Sequence, residues 1–216
     1  MSIKENIEKI RAKLLPGVKL VAVIKNVPLP QIFEAIEAGI TDLGENKIQE
    51  AVSRAEIIKK KYPAVTFHLI GHLQTNKVRQ ALDTFAIIQS VDSRRLVEEI
   101  NKRAEKPVPI LIEVNTSGDE TKYGVSPSQI GGLVAFAAKL EKIKIQGLMT
   151  MGPLSGGLEG ARRSFRQLKK LSEEIANEKL PGVEMKYLSM GMTDDHEVAV
   201  EEGSNLVRIG RGIFGG

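Results

Sequence analysis

The stretch "KLVAVIKNVPLP", residues 19–30, contains the unit on which the chain is built. "LVAVI" (20–24) is an unbroken run of strand-forming apolar residues, as expected of a strand buried on both faces. A proline-broken turn follows. Pro30 fits the first turn of a helix over 30–38, where no amide donor is needed, and Gly39 can close that helix in a left-handed conformation. Lys25 stands where the strand ends. Taken alone it reads as the point where a strand meets water; the competing reading is an amine presented to a pocket.

The same unit recurs along the chain. Strand-like runs follow at "DLGE" (42–45), "TFHLIG" (66–71), "FAIIQS" (85–90), "VPILIEVN" (108–115), "IKIQGLMT" (143–150), "MKYLSM" (185–190) and "NLVRIG" (205–210). Helical patterns lie between them; over 159–178, Phe165, Leu168, Leu171 and Ile175 share one face. An additional helix precedes the first strand, with Ile3, Ile7, Ile10 and Leu14 on one side and a Ser2/Glu5 capping box at its start. About eight strands alternating with helices predict a parallel sheet with helical crossovers. A closed (β/α)8 TIM barrel fits the count, with an open doubly wound sheet as the competitor. In a barrel, Lys25, Asn46, His72, Asn115, Met149, Met190 and Gly210 gather at the strand C-terminal ends, where barrels carry their chemistry.

Bulk properties narrow the function. The 216 residues are 42% hydrophobic, enough for one large core, and no linker divides them. Lys plus Arg number 31 against 27 Asp plus Glu, a net charge of +4, with only 4% aromatics. That balance does not describe a nucleic-acid binder. The absence of cysteine excludes disulfides, thiolate metal sites and a cysteine nucleophile. No signal-peptide pattern or membrane-length apolar run is present, so a cytoplasmic protein is expected.

Several residues could carry chemistry. Desolvation or a neighbouring cation would activate Lys25 as a nucleophile. At the other end, "VRIGRGIFGG" (207–216) places Arg208 in the last strand and Gly210 and Gly212 in a turn whose amides can approach a phosphate. "SMGMTDDHE" (189–197) adds Ser189, Gly191 and Thr193 near a helix start, and barrels often bind phosphate after their last two strands. The literal G-x-G-x-x-G at 210–215 is no dinucleotide fingerprint, because no further helix and strand follow it. His68 and His72 lie four apart in a strand running into a turn, a spacing that suits a metal only on a helix. A structural or supporting role is expected for His72, and His196 reads as partly exposed. Arg162, Arg163, Arg166, Lys169 and Lys170 read as a solvated helix face.

"VAVIKNVP", "DLGENKIQEA", "FHLIGHLQTNKVR", "VDSRRLVEEI", "VNTSGDETKYGV", "GLMTMGP", "LSMGMTDDHEVAVEEGSNLVRIG" and "GIFG" together resemble the pyridoxal phosphate homeostasis protein family, relatives of the alanine racemase barrel domain. The resemblance runs from about residue 19 to 216. It implies a single barrel domain over 1–216 that binds pyridoxal 5′-phosphate, with Lys25 forming the internal aldimine. By the same resemblance Arg208 contacts the pyridine nitrogen. Ser189, Met190, Gly210 and Arg211 fall in or beside the phosphate-binding part, and Asn46 and His72 sit near the ring.

Two positions depart from the family pattern. Val27 stands where many members carry a second lysine, and Arg211 where a small hydroxyl residue is common, although an arginine there could add a phosphate contact. Racemases of the related fold take their second base, a tyrosine, from a further domain, and Tyr62, Tyr123 and Tyr187 are expected to lie in the barrel. The expectation is therefore a cytoplasmic, monomeric carrier that holds the cofactor and passes it to apo-enzymes. An amino-acid racemase is the alternative, and a Schiff-base aldolase a third reading.

Overall fold

Ser2 and Glu5 cap the first helix reciprocally: the Ser2 hydroxyl accepts from Glu5 N (3.2 Å) and the Glu5 carboxylate accepts from Ser2 N (2.8 Å). This is the start of a computed structural model that describes residues 2–119, 121–153 and 156–215. Helix α1 (Ile3–Lys13) buries Ile3, Ile7 and Ile10. Strand β1 (Lys19–Val23) follows, then α2 (Leu29–Glu37), β2 (Asp42–Glu45), α3 (Ile48–Lys61), β3 (Thr66–Leu69) and α4 (Val78–Thr84). The alternation continues through β4 (Ile87–Val91), α5 (Arg94–Arg103), β5 (Val108–Glu113), α6 (Ile130–Ala137) and β6 (Ile143–Met149). It ends with α7 (Gly157–Asn177), β7 (Val183–Ser189), α8 (His196–Glu201), β8 (Leu206–Ile209) and α9 (Arg211–Phe214).

The strands form a closed parallel barrel in chain order. Val21 in β1 pairs with Asp42 in β2 on one side and with Arg208 in β8 on the other. That second pairing decides the architecture: the barrel expectation holds and the open sheet does not. The first strand stops at Val23, one residue before the apolar run does, because Ile24 already begins a turn. Helix α2 starts one residue earlier than expected, with Pro28 as its cap, and Gly39 closes it at φ +92°.

The main core lies between barrel and helices. Phe67 of β3 and Phe165, Leu168 and Ile175 of α7 are essentially inaccessible to solvent. The basic face of α7 is less free than the sequence implied: Arg162 reaches Glu201 and Glu202 (2.6 Å each), and Arg166 reaches Glu202 (2.8 Å). Gly147 sits at φ +149° where β6 meets β7; a Cβ there would stand 1.9 Å from the Tyr187 carbonyl oxygen. Among the described residues, no helix is long and apolar enough to cross a membrane.

Candidate functional site

Lys25 occupies a tight turn beyond β1. Val27 N closes the turn on the Ile24 carbonyl (3.1 Å), and Asn26 takes the left-handed conformation (φ 59°). Val27 is buried in the core, so the residue that departs from the family pattern anchors the turn from below. Arg54 of α3 clamps it from the side, donating to Ile24 O (2.8 Å) and to Glu45 Oε1 (2.9 Å). Glu45 is buried, and its carboxyl pKa is raised by burial, against the pull of Arg54. The turn is thus fixed while Lys25 itself is exposed. Its amine makes no hydrogen bond or ion pair among the described residues.

Asn46 follows Glu45 at the end of β2, and its Oδ1 is buried with no partner among the described residues. A buried acceptor left unpaired costs free energy that a donor on a bound molecule would return. Gly71, after β3, permits this approach: a Cβ there would lie 2.3 Å from the Asn46 carbonyl oxygen.

Arg208 is almost wholly buried inside the barrel. Its Nη1 donates to Ser189 Oγ (2.5 Å) and its Nη2 to the Thr150 carbonyl (2.8 Å). Burial lowers its pKa to about 10, opposed by the charges of Glu113 and Asp195, so it remains a cation at neutral pH. Glu113 ends β5 and is also buried. Burial raises its carboxyl to about 7; the Asp92 charge raises it further and Arg208 opposes the shift. This acid was not singled out from sequence, although a lone glutamate closing the apolar run "VPILIE" was a usable signal.

Glu113 lines a cavity of about 250 Å³ at the mouth, with Ile70, Asn115, Met151 and Met192 around it. His72 and Tyr123 stack at one edge, their ring centroids 4.0 Å apart and 15° from parallel. His72 Nδ1 lies 3.7 Å from Asp92. His72 therefore reaches the mouth as expected, whereas Tyr123 was not placed there by the sequence. Lys25 and Arg208 do not line this cavity; Arg208 adjoins it through Glu113. A larger hollow of about 500 Å³ opens beside Leu14–Leu20 and Asp42, at the strand N-terminal ends, where barrels carry stability rather than chemistry.

The expected phosphate region divides. Ser189 is sealed inside the barrel, its hydroxyl shared between Arg208 and Gln89. Met190 is fully buried; its amide donates to Leu206 O (3.2 Å) and its carbonyl accepts from Ser204 Oγ (2.8 Å). Gly210 packs against Val23 of β1 and caps α9. The Gly212 amide is taken by Thr193 Oγ1 (3.2 Å). The Arg211 guanidinium is exposed and pairs with Asp194 (2.5 Å).

The remaining two histidines are buried away from this cavity. His68 is buried between Asp42 (2.8 Å) and Gln89 (2.9 Å), and no group of three or more metal-ligating side chains occurs among the described residues. His196, expected to be partly exposed, is buried: α8 folds it back so that Nδ1 meets the Thr193 carbonyl (3.1 Å).

The sequence profile of the alanine racemase N-terminal domain matches residues 1–216. The chain is 40% identical to the pyridoxal phosphate homeostasis protein of Aquifex aeolicus over 200 residues, covering 91% of this chain and 86% of that one. It is 35% identical to the human protein of the same name over 218 residues, covering 95% and 79%. The chain belongs to the pyridoxal phosphate homeostasis protein family.

Two solved structures of one protein share its shape closely. PipY of Synechococcus elongatus without PLP superposes with a TM-score of 0.93 at 34% identity, covering 99% of this chain and all of PipY. PipY with PLP bound gives 0.91 at 33%, with the same coverage. Alanine racemase from Corynebacterium glutamicum, at 13% identity and a TM-score of 0.79, shares the fold; the chain spans 59% of it.

Proposed function

We propose that this protein binds pyridoxal 5′-phosphate covalently through Lys25, buffers it, and hands it to enzymes that need it. The observation that carries the reading is an unengaged, exposed amine on a clamped turn, one strand away from a buried arginine. Pairing of Val21 with Arg208 puts the two strands side by side, and the unpaired Asn46 Oδ1 supplies a buried acceptor for a hydroxyl donor such as the one the ring carries. The PLP-bound relative of the same fold supports the choice of ligand.

The cofactor supplies an aldehyde that condenses reversibly with amines, together with a phosphate and a pyridine nitrogen. Lys25 offers the amine. Arg208 can only donate a hydrogen bond, so at the ring nitrogen it orients the ring without giving up a proton. The Arg211 amide, at the first position of α9, is offered to the phosphate along with the glycine turn at Gly210. A ring left unprotonated is a weak electron sink, which favours holding over carbanion chemistry. Exposure of Lys25 suits delivery, because an incoming amine has to reach the bond it replaces.

Purified protein incubated with pyridoxal phosphate is expected to turn yellow and, after borohydride, to carry a single reduced adduct on Lys25. Lys25→Ala is expected to abolish both. A colourless wild type without an adduct refutes the proposal. Racemisation is checked by α-deuterium exchange of amino acids, where rates no faster than free cofactor exclude it.

A further inference from the structure

Arg208 is one end of a line of hydrogen bonds that crosses the barrel interior through β7, β4 and β3 to β2. Arg208 Nη1 meets Ser189 Oγ (2.5 Å), Ser189 Oγ meets Gln89 Oε1 (2.6 Å), and Gln89 Nε2 meets His68 Nδ1 (2.9 Å). His68 Nε2 then meets Asp42 Oδ1 (2.8 Å). All five side chains are more than nine-tenths buried, and Gln89 and Ser189 are wholly so. Asp42 is held in turn by Lys19 (3.0 and 3.1 Å) and Thr41 (2.7 Å).

The two ends fix the polarity of the line. A guanidinium has no acceptor, and a carboxylate already receiving Lys19 and Thr41 is an acceptor only. Ser189 therefore accepts from Arg208 and spends its own proton on Gln89 Oε1. The Gln89 amide then donates to His68 Nδ1, which has to be bare, and His68 donates from Nε2 to Asp42. Turning the Gln89 amide over would strand the Ser189 proton and demand a proton on both nitrogens of His68. One arrangement satisfies every contact along the line, in a place where an unsatisfied one is costly.

We infer that His68 and Gln89 are positioning residues for Arg208, holding its guanidinium through Ser189 in one orientation by a one-way hydrogen-bond relay anchored at Asp42. Neither touches the cofactor in this scheme. The inference rests on the proposed contact between Arg208 and pyridoxal phosphate, and the relay itself has a readout that needs no cofactor.

The test uses full-length protein labelled with 15N-histidine at pH 8, with and without pyridoxal phosphate. The chain has three histidines, so His68→Gln identifies the His68 signals. The expected result is a neutral ring protonated on Nε2 in both states. A ring protonated on Nδ1, or on both nitrogens, overturns the relay whatever the cofactor does. The second arm is the rate of cofactor release on dilution. Gln89→Leu is expected to release roughly tenfold faster, since it unpairs buried groups at both its neighbours. His68→Gln, which can still accept on one atom and donate from the other, is expected to stay within about twofold of wild type. Faster release from Arg208→Leu with wild-type release from Gln89→Leu overturns the positioning role alone. Unchanged release from Arg208→Leu overturns the cofactor contact, and the positioning role with it.

Discussion

Glu113→Gln is expected to flatten the pH dependence of stability. The folded-state carboxyl titrates near 7 and is raised from an ordinary value of 4.5, so between those values the native state binds a proton that the unfolded chain has released. A raised carboxyl stabilises the fold at low pH and loses that contribution as pH climbs through the window. The shift is 7 − 4.5, about 2.5 units, or at most about 3–4 kcal/mol at 1.36 kcal/mol per unit. From pH 5 to pH 8 the wild type should lose about 2–3 kcal/mol from this group. Glutamine cannot titrate, although it also forfeits the attraction to Arg208, so the absolute stabilities shift and only the slopes are diagnostic. Urea unfolding of both proteins, without cofactor, at pH 5, 6, 7 and 8 reads those slopes; the three histidines are common to both and cancel. Parallel profiles would refute the assignment of a buried, proton-holding Glu113.

Asp42 should behave in the opposite sense. Burial would raise its carboxyl, but hydrogen bonds from His68, Thr41 and Lys19 outweigh it and lower it from 3.8 to about 2. Its contribution is present above pH 3.8 and lost as pH falls through 2, so Asp42→Asn should cost about 2 kcal/mol in urea unfolding at pH 7 and progressively less below pH 4. Gly71→Ala drives a Cβ into the Asn46 backbone at 2.3 Å; spectrophotometric titration should show weakened uptake of pyridoxal phosphate, with the far-ultraviolet circular dichroism retained. Phe165→Ala empties a fully buried position under α7 and should cost about 3–5 kcal/mol in denaturant unfolding.

The barrel was legible because its signals are local and repeated. Apolar runs such as "LVAVI" and the proline and glycine that bracket α2 declare strand, turn and helix within a dozen residues. Closure was less legible, since pairing of Val21 with Arg208 joins residues at opposite ends of the chain and no local pattern encodes it. Lys25 and Arg208 were recognisable as candidates from residue type and place. Their supports were not: Arg54 looks like any surface residue of α3 until the fold turns it onto the Ile24 carbonyl. Ser189 shows how little local reading says about a side chain's partners. Its position beside a glycine turn suggested phosphate, whereas strand alternation aims its hydroxyl into the barrel at Arg208. His196 was misjudged for a similar reason, since acidic neighbours in sequence say nothing of the side on which α8 packs.

Pairing of β1 with β8 also sets a schedule. Lys25 leaves the ribosome 183 residues before Arg208, which at about 5–20 residues per second is roughly 10–40 seconds of synthesis. Throughout that interval the amine exists and its partner strand does not. A nascent chain can react with a free aldehyde, but it cannot retain one in a closed barrel. With Lys25 as the proposed anchor, loading would wait until β8 is made, and a message truncated before β8 would leave that lysine without the closed barrel beside it.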